Sequence, residues 1–201
     1  MIYLNNYGWN DKLSQLKQES TYNALTHGRI SIVHRTCYEV VSENGLFQCE
    51  LTGNMMYGKS DIELPCTGDW VLFQPFDEHK GIIVDMLPRE RTLYRKKNGT
   101  VADKQAIASY VDKAFIVQSL DDNFNVRRAE RFMVQMQEEN INPVLVFNKA
   151  DLGFDEQKVE EQIRHIARQI PVFFTSIHQP QTILQLRESI SAGETVVFVG
   201  S

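Results

Sequence analysis

Val144-Leu145-Val146-Phe147-Asn148-Lys149-Ala150-Asp151 is the stretch on which the reading of this chain turns. Its first four residues form a short, unbroken apolar run. Such a run marks a strand covered on both faces of a parallel sheet, because a half-exposed strand would alternate. Asn148, Lys149 and Asp151 follow at the carboxyl end of that strand, where open α/β sheets bind their ligands. The residue types suit one ligand in particular. Guanine presents its N1–H and 2-amino group as adjacent donors, and one ionised carboxylate accepts from both. Adenine lacks both donors, so Asp151 would meet it with its charge unpaired. The Asn148 amide can hold the base edge and the neighbouring loop, and the Lys149 stem can lie over the base plane. The same residue types also favour ordinary turns. Three fixed positions directly after a clean strand favour the base-reading interpretation.

Around this stretch, strands alternate with helices. Ala114-Phe115-Ile116-Val117 reads as a buried strand, and Arg127 to Glu139 as a helix with Phe132, Met133 and Met136 on one face. After the Asn148 strand come a polar helix from Asp155 to Gln169, a strand at Pro171-Val172-Phe173-Phe174 leading into Thr175-Ser176, and a helix from Gln181 to Ile190. Thr195-Val196-Val197-Phe198-Val199 reads as a further buried strand, ending at Gly200-Ser201. This order predicts a parallel sheet with crossover helices.

Upstream the pattern changes. Arg29 to Val33, Tyr38 to Val41, Leu46 to Leu51, Asp69 to Phe73 and Gly81 to Val84 are short strands separated by turns such as Glu43-Asn44-Gly45. Five of them within about seventy residues predict a small all-β barrel of the OB type. Residues 1–25 read as an N-terminal arm with a weakly amphipathic helix from Asn10 to Glu19. Arg89, Arg91, Tyr94, Arg95, Lys96 and Lys97 form the densest basic cluster, with one aromatic among them. They are candidates for RNA phosphate contact and base stacking; a charged, solvated connector is the other reading. Asn98-Gly99-Thr100 marks the expected boundary, giving an arm at 1–25, a barrel at 26–98 and an α/β domain at 99–201.

Composition limits the alternatives. Of the 201 residues 42% are hydrophobic and 23% charged, as in globular domains, and no apolar run is long enough to span a bilayer. Met1 to Asn6 lacks the basic flank and apolar core of a secretory leader. Cys37, Cys49 and Cys66 have no metal-ligand spacing and suit reduced thiols in the cytoplasm. The five histidines are scattered and suggest neither a metal site nor a catalytic pair. The net charge of −5 opposes indiscriminate coating of nucleic acid but permits a local basic patch.

Two segments compete as phosphate loop. Gly53-Asn54-Met55-Met56-Tyr57-Gly58-Lys59-Ser60 satisfies G-x-x-x-x-G-K-[ST]. That motif needs a buried strand before it and a helix beginning at its Lys and Ser. Here the preceding strand alternates, and Pro65 and Gly68 leave no room for a helix after Ser60. No Asp-x-x-Gly lies between Gly53 and Asn148, as the usual motif order requires. The segment is therefore expected to be a loop between barrel strands, and a usual-order GTPase using Lys59 is the disfavoured reading. The other candidate is Val196 to Ser201, a strand followed by the first glycine of a loop. It would put the base-reading motif before the phosphate loop, a circular permutation.

Together these residues resemble the circularly permuted GTPases of the small ribosomal subunit biogenesis family, known as RsgA or YjeQ. Pro65-Cys66-Thr67-Gly68-Asp69-Trp70-Val71 resembles the family's Pro-x-x-Gly-Asp-x-Val barrel signature. Gly81 to Ile83, Leu87-Pro88-Arg89 and Arg95-Lys96 are similar to its barrel exit. Ala108 to Asp112, Asp122 to Arg128 and Glu130-Arg131-Phe132 match its entry into the GTPase domain. Asn148-Lys149-Ala150-Asp151-Leu152 matches its guanine motif, and Thr175-Ser176 stands at the second guanine loop, with Ile177 and His178 departing from the usual Ser-Ala pair. Glu194 to Ser201 resembles the strand and first glycine of its phosphate loop.

The resemblance implies an OB barrel followed by a circularly permuted P-loop GTPase domain. It implies guanine binding by Asn148, Lys149, Asp151, Thr175 and Ser176, phosphate binding beginning at Gly200 and Ser201, and GTP or GDP with Mg2+. It further implies small-subunit rRNA as partner and zinc in a later domain. On that reading the chain is the front part of a longer cytoplasmic, monomeric protein. Without the phosphate-loop Lys it would not hydrolyse GTP by itself, and no catalytic or metal-ligating residue is expected within it. The competing reading is an RNA-binding OB module with a non-catalytic partial nucleotide fold.

Overall fold

The computed structural model describes residues 1–57, 59–96, 104–121, 124–168 and 170–200. The chain divides into two compact units, Met1–Val111 and Asp112–Ser201.

In the first unit, β1 (Thr26–Val33), β2 (Tyr38–Ser42), β3 (Gly45–Leu51), β4 (Trp70–Asp77) and β5 (Lys80–Met86) close into a barrel in the order β1-β2-β3-β5-β4. Period-two alternation fills it. In β3, Phe47 and Cys49 are buried while Leu46, Gln48 and Glu50 face water. Ile30, Val40, Val71, Phe73 and Ile83 complete the interior. The unbroken run Trp70 to Phe73 has a simple cause: Val71 and Phe73 point into the barrel, whereas Trp70 and Leu72 point outward under the N-terminal arm. That arm contributes Leu4 and, from helix α1 (Asp11–Glu19), Leu13. Asn10 caps α1, its side-chain oxygen accepting from the Leu13 N–H at 3.1 Å.

The segment Gly53 to Ser60 holds a single helical turn, α2 (Gly53–Met56), ahead of Lys59 rather than after it. Gly58 lies outside the described residues. A turn follows Ser60, whose backbone N–H and hydroxyl both donate to Glu63, at 3.0 and 2.8 Å. Among the described residues no helix begins at Lys59 or Ser60.

Beyond the barrel, β6 (Leu93–Lys96) pairs with β7 (Lys104–Ala108), a strand that sequence patterning does not reveal. This hairpin belongs to the first unit, which runs on to Val111. Asn98-Gly99-Thr100 lies outside the described residues.

The second unit is a four-stranded parallel sheet of β8 (Lys113–Ser119), β9 (Asn142–Asn148), β10 (Val172–Thr175) and β11 (Val196–Gly200), in the order β10-β9-β8-β11. Helices α3 (Val126–Glu138) and α4 (Glu156–Ala167) cover one face, where Met133 and Ile163 meet Leu145 and Phe147. Helix α5 (Pro180–Glu188) covers the other, where Leu186 packs with Phe115, Val144 and Val146. The apolar run of β9 is thus covered on both sides. β11 differs from expectation. It is an edge strand among the described residues, and Phe198 stays 62% exposed while stacking on Phe115 at 5.1 Å. An apolar run shows that a strand prefers a sheet interior, not that both its sides are filled.

Candidate guanine-nucleotide site

Chain direction brings the candidate residues to one edge. The strands are parallel, and Asn148 stands in register with Ser119 of β8 and Thr175 of β10, while Gly200 of β11 stands beside Val117. From β8 the chain moves to β9 and β10, then crosses back to place β11 on the other side of β8. The switch point falls between β8 and β11, the crevice in which doubly wound sheets take their ligands.

Asn148 ties this edge together. Its backbone carbonyl accepts from the Leu120 N–H at 2.9 Å, and its side-chain oxygen accepts from the Thr175 hydroxyl at 3.3 Å. Lys149 then takes the left-handed conformation, φ 64°, and starts a 3₁₀ turn in which the Leu152 N–H donates to its carbonyl at 3.1 Å. This turn brings Asp151 to the surface. The buried Ser176 hydroxyl donates to the Asp151 carboxylate. That bond is the main reason why the carboxyl lies below its usual pKa, with His178 a weaker contributor in the same direction. The site's acceptor is therefore ionised well into the acid range.

Thr175 and Ser176 are buried supports of the second loop. The Ser176 N–H donates to the Thr182 hydroxyl at 3.0 Å, and the Ser176 hydroxyl accepts from the His178 N–H at 3.0 Å. The residue between them, Ile177, is 76% exposed, and its N–H has no acceptor among the described residues. The outward backbone donor of this loop is thus that of Ile177, one residue beyond Thr175-Ser176. The arrangement thus presents an ionised acceptor and an outward backbone donor beside a lysine stem, complementary to guanine's N1–H, 2-amino group and O6.

At the phosphate end, Gly200 has φ 155°, and a Cβ there would lie 2.1 Å from the Val117 carbonyl oxygen. Only glycine fits at this register position, so close to the backbone of β8. Ser201 lies outside the described residues.

The basic cluster does not act as one surface. Arg89 turns inward: its guanidinium forks onto the fully buried Asp69 carboxylate at 2.6–3.1 Å and also donates to the carbonyls of Ile62 and Leu64. With a side chain only 11% exposed, Arg89 is a brace of the barrel, and its candidacy for RNA contact is withdrawn. Arg91 donates to the Val111 carbonyl at 3.1 Å and pairs with Glu90. Tyr94 sits under the Lys104 ammonium, 5.6 Å from the ring centre. Arg95 is exposed on β6. Lys96 ends that strand, and Lys97 lies outside the described residues.

One contact at the sheet edge is absent from the sequence reading: the Lys149 ammonium pairs with Asp121 at 2.8 Å. The available signal was position, since Asp121 follows the carboxyl end of β8, the strand beside β9.

A closed five-stranded barrel, then a parallel sheet carrying Asn-Lys-x-Asp ahead of the glycine that ends its last strand, is the architecture of circularly permuted GTPases. Two solved structures share the fold: YloQ, described as a circularly permuted GTPase (TM-score 0.64, 22% identity, covering 91% of this chain and 62% of that one), and YjeQ from Thermotoga maritima (TM-score 0.67, 23% identity, covering 88% and 60%). The family model for the RsgA GTPase matches residues 86–201. The chain belongs to the RsgA GTPase family. It is 73% identical to small ribosomal subunit biogenesis GTPase RsgA 1 of Bacteroides thetaiotaomicron, over 97% of this chain and 55% of that protein. The RsgA of Methanosarcina acetivorans is 32% identical, over 96% and 52%. The chain spans about half the length of these relatives.

Proposed function

We propose that the chain supplies the barrel and the guanine-reading half of a GTPase acting in maturation of the small ribosomal subunit. The observation that carries this reading is the meeting of Asn148, Asp151 and Ser176 at the carboxyl edge of a parallel sheet whose switch point adjoins Gly200. Asp151 accepts from guanine N1–H and the 2-amino group, the Ile177 N–H donates to O6, and the Lys149 stem covers the ring. Asn148 holds the two base loops together. Gly200 begins the phosphate cradle, continued by Ser201.

The residues suit guanosine, while the groups that would hold Mg2+ and drive hydrolysis do not occur among them. In such sites the ion is held by a phosphate-loop Ser/Thr and switch carboxylates. Zinc would likewise need ligands other than Cys49, enclosed in the barrel interior, and Cys66, buried beside Asp69, Arg89 and Ser109. We assign GTP hydrolysis to a protein of the length of these relatives. We take that protein to be cytoplasmic and monomeric, and to bind small-subunit rRNA partly through the β6–β7 hairpin, where Arg95 is exposed and Tyr94 has Lys104 beside it.

The test is a pair of titrations on the intact gene product, with GDP and with XDP. Xanthine carries an oxygen where guanine carries its 2-amino group, so Asp151→Asn should shift preference toward XDP by on the order of tenfold or more. A variant that keeps its GDP preference would show that Asp151 does not read the base.

A further inference from the structure

We propose that Asp121 is a positioning residue for the nucleoside: anchored by Ser119, it draws the Lys149 side chain across the base site toward the phosphate end. The proposal rests on the reading of Asn148 to Asp151 as the guanine-binding loop. Asp121 lies two residues beyond the register pair Ser119 and Asn148, in the loop after β8. Because β8 stands between β9 and β11, this loop separates the base-reading turn from Gly200. One Asp121 oxygen accepts from the Ser119 hydroxyl at 2.6 Å, and the other accepts from the Lys149 ammonium at 2.8 Å.

Both ends of the Lys149 side chain are therefore fixed. Its backbone is set by the left-handed turn, and the Leu120 N–H bond to the Asn148 carbonyl ties the two loops at the root. Its ammonium is held by Asp121. A lysine loses more side-chain entropy on ordering than almost any other residue. A stem already stretched across the site has met that cost before the purine arrives, which is how preorganisation improves affinity. The pair is also partly exposed, at 49% for Lys149 and 25% for Asp121, so the stem offers an apolar strip without being buried.

Charge alone predicts the opposite sign. A carboxylate near bound phosphates repels them, so removing it should tighten anionic nucleotides, most of all at low salt. Positioning predicts weaker binding of any ligand carrying the base, charged or not.

The experiment titrates guanosine and GDP, at low and moderate salt, into the intact gene product, with XDP added as the competing base for Asp151→Asn. The variants are Asp121→Asn, Ser119→Ala, Lys149→Ala, the double Asp121→Asn/Lys149→Ala, and Asp151→Asn. Asp121→Asn should weaken guanosine and GDP by the same factor, about two- to fivefold, the size of an exposed ion pair. Ser119→Ala should act in the same direction but less. The double variant should bind no more weakly than Lys149→Ala alone, because Asp121 acts only through Lys149. Unchanged guanosine binding, GDP binding tightened in a salt-dependent way, or additive losses in the double variant would each overturn the proposal. Failure of the underlying guanine reading shows separately: Asp151→Asn would then keep its preference for guanine, whatever Asp121 does.

Discussion

Replacing Arg89 by Met should destabilise the barrel rather than weaken a nucleic-acid contact. Asp69 is fully buried, and its carboxylate accepts from the Arg89 fork and from the Cys66 N–H at 2.7 Å. Methionine keeps much of the stem volume but takes from the carboxylate its guanidinium fork and the charge that fork carries, leaving it the donors of Cys66. The carbonyls of Ile62 and Leu64 lose their donor as well. Removing one partner of a buried ion pair costs about 3–5 kcal/mol. With a urea dependence of about 1.5 kcal/mol per molar for a domain of this size, the unfolding midpoint should fall by about 2–3 M. Fluorescence isolates the effect, because the two tryptophans, Trp9 and Trp70, both lie in the first unit. The double variant Asp69→Leu/Arg89→Met should recover part of the loss, since apolar groups can replace a buried pair, but not all of it, because the Cys66 N–H is then left without an acceptor. A loss below about 1 kcal/mol for Arg89→Met would refute the reasoning. So would weaker RNA binding with an unchanged unfolding midpoint.

Other expectations follow from single contacts. Lys59→Ala should leave guanine-nucleotide affinity within about twofold of wild type; a loss above about tenfold would restore Gly53 to Ser60 as phosphate loop. Arg95→Gln should lower the salt dependence of small-subunit binding by about one unit of slope, read from titrations at several salt concentrations. With a thiol-reactive disulfide at pH 8, the half-buried Cys37 should react first, while Cys49 and Cys66, both buried and pushed up to about 12, should wait for unfolding. Ser176→Ala should bring the Asp151 carboxyl back up toward its ordinary value of 3.8, followed by NMR titration. Because the Ser176 bond depresses that pKa, its contribution is present above the ordinary value and disappears as pH falls through the native one. The variant should therefore lose guanine preference at a higher pH than wild type; equal titration curves would discount the bond.

The barrel and the sheet were legible because each rests on periodicity. Alternation in Leu46 to Leu51 and the unbroken run Val144 to Phe147 are direct images of one covered face and of two. The position of Asp151 was legible because its chemistry is tied to the end of a strand. Arg89 was not: a basic residue among basic residues reads as solvent-facing, and only the fold brings Asp69 against it. β7 escaped because Lys104 to Ala108 is too short and mixed to announce a strand, and only pairing with β6 makes it one. The exposed face of β11 escaped because sequence records what a strand would bury, not what covers it. Asp121 escaped because its partner lies 28 residues away, across a loop-to-loop gap.

The order β10-β9-β8-β11 also carries a timetable. Lys113 meets Asn142 on one side and Val196 on the other. The second pairing closes a loop roughly three times as long, at about 1 kcal/mol more in chain entropy. The three strands that organise the base loops are also synthesised together, ahead of β11. Among the described residues β11 is paired on one side only, whereas β9 is paired on both, so the amides of β11 should exchange with solvent before those of β9. On the proposed assignment, opening of that edge would disassemble the phosphate end while the purine end stays formed, so the two halves of the site can be made and lost in separate steps.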